Sequence, residues 1–390
     1  MFGKGKGTLP DERGMALATV IIALVVIGAL VASALMVGLQ EQRMGESTRW
    51  LRRSSGVVEG GINEILRGWN AQSTNSSMTI YPAAGSTQPV AQTASPSGTG
   101  VYAGTVYKLT EQIYLLDVTA RDSATLAGRV RGDGARQRLG LITRTLPLPV
   151  DVQAAMTIGA PVNFGGGNVF VQGTDHTPAG WSGCAPVSGS VAGVRAKNNG
   201  DANNSQGQMT GSPPVSITPT MDSTTFMQYG NTSYTQLAAA ATIQLNPGSY
   251  APAPVITGGV CTASSTNWGS PLAPTGACGK RYPIVHINNF GGTTTITGGS
   301  GQGMLLVDGD LVISGAFTYY GLIIVRGKMS TTAGGSPTVY GSLLVQSMNF
   351  ATTSFAGSAN IYYSACALQR IKDAVSNPTL LRSRGYIELQ

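Results

Sequence analysis

The sequence predicts a mainly β protein carried on a long N-terminal α-helix. Three observations point there. An uncharged apolar run extends from Met15 to Leu39, 25 residues. Charged residues make up only 11% of the chain while Gly numbers 53, a composition poor in helix formers and rich in turn formers. A Gly and aliphatic pattern then recurs between Gly303 and Gly357. The 42% hydrophobic content argues against disorder over most of the length. The expected organisation is a leader at 1–14, a transmembrane and amphipathic helix at 15–69, a Ser/Thr/Gly/Pro-rich linker at 70–104, a small antiparallel sheet at 105–145, and a β-rich, repeat-containing head at 146–390.

The apolar run rises about 38 Å as a helix, enough to cross a hydrocarbon core of about 30 Å. It lacks Pro, so its backbone groups are satisfied within the helix. A cleaved secretory signal is the alternative, since Ala32-Ser33-Ala34 offers a small-residue cleavage site, but the apolar stretch before it exceeds the usual h-region of roughly 7–15 residues. Beyond the run, Val57, Val58, Ile62, Ile65, Leu66 and Trp69 follow helical spacing and leave Glu59, Asn63, Glu64 and Arg67 to the other faces. Gly45, Gly56, Gly60 and Gly61 predict a bend or break there.

The leader ending in Arg13-Gly14, the apolar helix from Met15, the polar "QEQRMGES" and then "SSGVVEGGINEILRGW" resemble the N-terminal segment of PilX-like minor pilins of type IV pili. The resemblance covers about residues 11 to 69. It implies a prepilin cut after Gly14 by a membrane peptidase, with Met15 as the methylated new N-terminus. It also implies a helix held first in the bacterial inner membrane as a single pass and later packed among other pilins by the pilus assembly machinery, with the head extracytoplasmic. Major pilins of this kind carry Glu at the fifth mature position, where this chain has Thr19; an N-terminal ammonium without that carboxylate is costly in an apolar bundle. The resemblance therefore implies a minor, tip-proximal or initiating subunit.

In the sheet region, Tyr114, Leu116 and Val118 alternate with Leu115, Asp117 and Thr119, and "ARQRLGLITRTLP" supplies a partner strand after a Gly-Asp-Gly turn at 132–134. In the head, Gly303, Gly321 and Gly341 share one slot, Leu305, Ile323 and Leu343 the next, and Val307, Val325 and Val345 the one after. Val285, Ile287 and Asn289 form a fainter copy, with Asn289 expected in the left-handed conformation that Gly uses elsewhere. Periods of 18 and 20 residues with Gly at corners describe a β-solenoid, a parallel β-helix; an antiparallel β-sandwich of similar strands is the alternative. Val169 and Val171 are expected to begin the stack, "AKNNGDANNSQGQMTGSPP" to form a surface loop, and "CALQRIKDAVSN" to form a helix capping the last coil.

The net charge of +7 lies outside residues 145–367, which carry six basic and six acidic residues. A nucleic-acid binder concentrates basic residues on its binding module, so a nucleic-acid partner is disfavoured. The one cluster, Arg121, Arg129, Arg131, Arg136, Arg138 and Arg144, reads as a solvated strand face, with DNA capture as the competing use. Cys184, Cys261, Cys278 and Cys366 fit no metal-binding spacing; in an exported head they permit two disulfides in any of three pairings, with Cys261 and Cys278 closing the shortest loop. His176 and His286 stand apart from other metal ligands, and Asp175-His176 reads as a loop hydrogen bond. Asp308 and Asp310 flank Gly309 in the manner of paired acids in polysaccharide-cleaving β-helices, but Arg326 and Lys328 occupy related slots and suggest charge pairing between coils. No catalytic, metal or cofactor set emerges. The sequence thus predicts a non-enzymatic pilin-like subunit whose head meets other subunits or a surface glycan; a membrane-tethered β-helix protein acting on or binding polysaccharide is the alternative.

Overall fold

The computed structural model describes residues 13–71, 74–75, 78–122, 136–164, 168–182, 184, 189–203, 208–230, 232–347, 353–381 and 385–388. The leader up to residue 12, the turn at 132–134 and Gly165 to Gly167 lie outside the described residues. Arg13 and Gly14 already belong to the first helix, α1, which spans Arg13–Arg67.

The expected break in α1 is absent, and the glycines have another use. A Cβ on Gly61 would stand 2.5 Å from Tyr102 Cγ, so Gly61 lets the helix approach the sheet closely. Propensity favoured a break, but burying Val57, Val58 and Ile62 against that sheet, at about 1.5–3 kcal/mol each, outweighs roughly 1 kcal/mol per Gly.

The sheet under the helix runs β1 (Thr87–Ala94), β2 (Gly100–Lys108), β3 (Ile113–Asp122) and β4 (Arg136–Leu146), all antiparallel neighbours. Its alternation buries Tyr102, Val106, Tyr114, Leu116, Val118 and Leu141 against α1. Residues 70–104 are therefore not a linker: β1 and the start of β2 come from them, because Thr, Val and Tyr at alternate positions suffice for a half-exposed edge hairpin. Nor does the head run to the C-terminus. Asn377–Leu380 and Tyr386–Glu388 return to pair with β4, completing a six-stranded sheet.

The head is a stack of parallel coils, not an antiparallel sandwich. Gly299–Val307, Ala316–Val325 and Ser336–Val345 pair in parallel, with Gly303, Gly321 and Gly341 opposite one another, as are Leu305, Ile323 and Leu343. Each is followed by a corner and a short strand of a second parallel sheet, Asp310–Ile313, Met329–Thr331 and Thr353–Phe355. Ile284–Ile287 joins in the expected register, Val285 opposite Leu305 and Ile287 opposite Val307. Asn289 does not take the left-handed conformation. Its buried side chain instead accepts from Gly309 N at 2.6 Å and donates to Thr294 Oγ1 at 2.9 Å, tying one corner to the next.

Two apolar layers hold the stack. Val307, Val325, Val345, Phe317, Phe355 and Trp268 fill the coil interior. Leu306, Leu322 and Ile324 point outward beneath Trp181, Phe226, Tyr234, Leu368 and Ile371. Both faces of these strands are thus buried, which explains their near-continuous aliphatic runs.

The order of coils differs from chain order. Val169–Gln172 pairs with Ala359–Tyr363, and Ala154–Ile158 with Ser336–Val345, so the first part of the head stacks beyond the last repeat rather than before the first. The polar excursion is not all loop: Ala202–Asn203 pairs with Val162–Asn163 and Gln208–Thr210 with Val169–Gln172, both in parallel. Helix Ala365–Ala374 lies across Ala316–Val325 and Ser336–Val345 instead of capping the end. Its buried positions Ala367, Leu368, Ile371 and Ala374 form a single stripe, which suits a sheet flank.

Gly321 has φ +141°, and a Cβ there would meet Gly303 O at 2.1 Å and Ile371 Cδ1 at 2.2 Å. Gly321→Ala is expected to destabilise the head by roughly 2–3 kcal/mol, more than the same change at exposed Gly98, as read by urea unfolding of the purified protein.

Candidate functional site: an exposed apolar helix and its joint to the head

Among the described residues, no other element buries the first part of α1. Every residue from Leu17 to Arg49 is exposed, including Leu24, Val25, Leu30, Leu35 and Met36 at more than 60%. The apolar part of this exposed stretch, up to Leu39, is a cylinder stable only in lipid or against other apolar helices. Gly14 and Met15, the expected processing pair, lie in the first turns of this helix. Ala18, Gly28, Ala32 and Ser33 give it the small side chains that allow close helix approach.

The second part of α1 is held by a polar joint. Trp69 Nε1 donates to Asn75 Oδ1 at 3.0 Å, and Asn75 Nδ2 lies 2.9 Å from Asp373 O and 2.8 Å from Ser376 O. The buried Lys108 donates through Nζ to Asn75 O at 2.8 Å and Met78 O at 3.3 Å, and pairs with Glu111 at 2.8 Å. The helix end, the antiparallel sheet and the end of the Ala365–Ala374 helix thus meet at one residue, Asn75, the first and last through its side chain and the sheet through its main-chain carbonyl. Trp69 also packs edge-on against Tyr114, ring centroids 5.1 Å apart. Sequence reasoning missed Asn75, Lys108 and Ser376. One signal was available: Lys108 is the sole charged residue between Arg67 and Glu111.

The four cysteines form two disulfides, Cys184 with Cys366 and Cys261 with Cys278. The first fastens the 182–184 region to the start of the Ala365–Ala374 helix. Arg370 on that helix stacks over Trp181 at 4.4 Å and donates to Ser182 O, so the same contact is made three ways.

The acids at the Gly309 corner are engaged with neighbouring coils. Asp308 accepts through Oδ2 from His286 Nε2 at 2.9 Å and meets Arg326 Nη1 through Oδ1 at 3.4 Å. His286 Nδ1 lies 2.7 Å from Gln244 Oε1 on the adjoining coil. Asp310 accepts from Lys328 N at 3.0 Å and faces Lys328 Nζ at 3.9 Å. The two carboxylates therefore serve separate cross-coil pairs rather than one shared cleft. Burial, then the nearby Asp308 carboxylate, push the Tyr234 hydroxyl well above its ordinary pKa. At the far flank, Asp175 accepts from Ala365 N at 2.9 Å and the His176 ring rests on Tyr362 at 4.7 Å, a local fastening of the helix start.

Of the arginine cluster, Arg129 and Arg131 lie outside the described residues. Arg121, Arg136 and Arg138 share the face of the sheet opposite α1, and Arg144 donates to Gln112 Oε1 at 3.1 Å near the other end of β4.

No family model matches this sequence, and no curated protein matches it. Among solved structures, the chain is similar to the crystal structure of the competence-associated pilin ComZ from Thermus thermophilus. The identity is 12%, the likeness covers 86% of this chain and 97% of that one, and the TM-score is 0.23.

Asp373 beside the joint has its carboxyl pushed up, chiefly by burial. Its folded-state pKa exceeds the ordinary 3.8, so the native state holds that proton more tightly than the unfolded chain and stability falls as pH rises from about 4 through the folded-state pKa. Asp373→Asn is expected to stabilise the protein at neutral pH and to lose that advantage below the ordinary carboxylate range, as thermal unfolding against pH will show.

The two disulfides close loops of very different length, with sequence separations of 182 and 17. Loop-closure entropy assigns them about 5 and about 3 kcal/mol respectively. Replacing Cys184 and Cys366 together by Ser is accordingly expected to lower the urea midpoint more than the same change at Cys261 and Cys278.

Proposed function

We propose that this protein is a pilin-like structural subunit. It is anchored and assembled through the first part of α1 and displays the stacked-coil head. The observation that carries the reading is the division of one continuous helix: its first part is exposed from Leu17 to Arg49, and its second part is packed onto the protein's own sheet. Such a helix can leave lipid for a bundle of its own kind without any change in the fold of the head. The resemblance of residues 11 to 69 to PilX-like minor pilins adds cleavage after Gly14, methylation at Met15, inner-membrane residence before assembly and minor-subunit status. The head, neutral overall and rich in Asn, Ser, Thr and Gly, is suited to contacts with other subunits or a glycan.

Mass spectrometry of the mature protein is the direct test. An N-terminal Met15 carrying a methyl group is expected, and Gly14→Val should leave the leader attached and the subunit out of sheared filament fractions. A mature protein starting at Leu35 would overturn the anchored reading, because the apolar helix would then have been discarded.

A further inference from the structure

We infer that the face of the antiparallel sheet turned away from α1 holds a binding site for a phosphate-type oxyanion. The strand register brings it together. Arg121 on β3 stands directly opposite Arg136 on β4, and Thr119 directly opposite Arg138. Because Val118, Ala120 and Leu141 point to the helix side, the alternation turns Asp117, Thr119, Arg121, Arg136 and Arg138 to the other.

Like charges directly opposite on adjacent strands disfavour the pairing. Arg138 is balanced: its Nε and Nη2 donate to the two oxygens of Asp117 at 2.9 and 2.7 Å in a bidentate pair. Arg121 and Arg136 are both exposed and share no such carboxylate among the described residues. The sheet therefore keeps a fixed Arg138 fork beside two juxtaposed guanidinium groups in positive excess.

The neighbouring strand supplies the space. Val101, Ala103 and Thr105 are its outward side chains, and their small size leaves a trough of about 440 Å³ bounded by Gln92 on one side and the arginines on the other. Two guanidinium forks over a shallow floor, with the Thr119 hydroxyl and the Gln92 amide as further donors, match the several acceptor oxygens and the charge of a phosphate group. A carboxylate offers fewer oxygens and one charge. The site is independent of the filament reading, since neither α1 nor the head contributes to it.

The test uses the full-length purified protein in detergent, titrated calorimetrically at constant ionic strength with inorganic phosphate, with acetate, and with a long-chain polyphosphate. Saturable binding of phosphate but not acetate is expected, and Arg121→Gln with Arg136→Gln should weaken it at least about tenfold. Relief of the Arg121/Arg136 repulsion should leave that double variant as heat-stable as the parent or more so, and Arg121→Gln alone should show an intermediate loss of binding. Polyphosphate bound more tightly than phosphate, with a steep dependence on salt, would identify a polymer-borne group; equal affinity would identify the free ion. No saturable phosphate or polyphosphate binding by the parent, or undiminished binding by the double variant, overturns the inference.

Discussion

The side chain of Asn75 is the constraint on which the relation of stalk to head depends. A buried amide must have its donors and acceptor satisfied, and this one finds partners on two separate elements, Trp69 at the helix end and Asp373 and Ser376 at the end of the flank helix, while Lys108 of the sheet donates to the main-chain carbonyl of the same residue. Leaving any of these groups unpaired in the interior costs about 1–3 kcal/mol, so the elements come together as a set. The consequence is mechanical. The chain enters the head at 147–153 and leaves it at 376, and both crossings lie beside β4, where Asn377–Leu380 pairs antiparallel with Thr143 to Leu146. A load applied along α1 therefore reaches the head through two strands hydrogen-bonded to each other, not through a single tether.

The repeat slots at Gly303, Gly321 and Gly341 were legible because a coil's requirements are local. An inward aliphatic, an outward aliphatic and a glycine recur at a near-fixed interval when parallel strands stack in register, although Gly303, Gly321 and Gly341 lie within the strands, with positive φ, and not at the corners. The pairing Val285 to Leu305 extended the same logic to a copy with weaker composition. The helix was legible for the same reason. Its apolar run declares the first part, and the spacing of Val57, Val58 and Ile62 declares the face that the sheet buries.

What escaped sequence reasoning was set by contacts between segments remote in the chain. Nothing local says that Ala154–Ile158 lies beyond Ser336–Val345, since a strand of five small and aliphatic residues fits either end of the stack. Thr87–Ala94 reads as a connection because half of its residues are small and polar, and only the hairpin with Gly100–Lys108 makes it a strand. The polar joint was hidden for a related reason: Asn75 and Ser376 are ordinary loop residues until α1 and the flank helix bring them within 3.0 Å. Asp308 and Asp310 have the spacing of a catalytic pair, but the slots of Arg326 and Lys328 already pointed to charge pairing between coils, and both cations do face these acids; only the contact of His286 with Asp308 was not legible.

A parallel stack has open ends, and the way this head closes them bears on what it can do. Its early segments, Val169–Gln172, Ala192–Ala196 and Gln208–Thr210, add coils at the end where the last repeat would otherwise expose its hydrogen-bonding edge. The Cys184–Cys366 bridge and the Arg370 stack on Trp181 then fasten that early part to the helix that follows the last coil. Long-range closure of this kind ties that end of the stack to the helix that follows the last coil, and neither terminal coil is also a chain terminus. The apolar segment of α1 is the opposite case, a length of helix with every side chain outward. The apolar contacts of Val57, Val58 and Ile62 with the sheet and the polar joint of Asn75 and Lys108 together hold the boundary between the two.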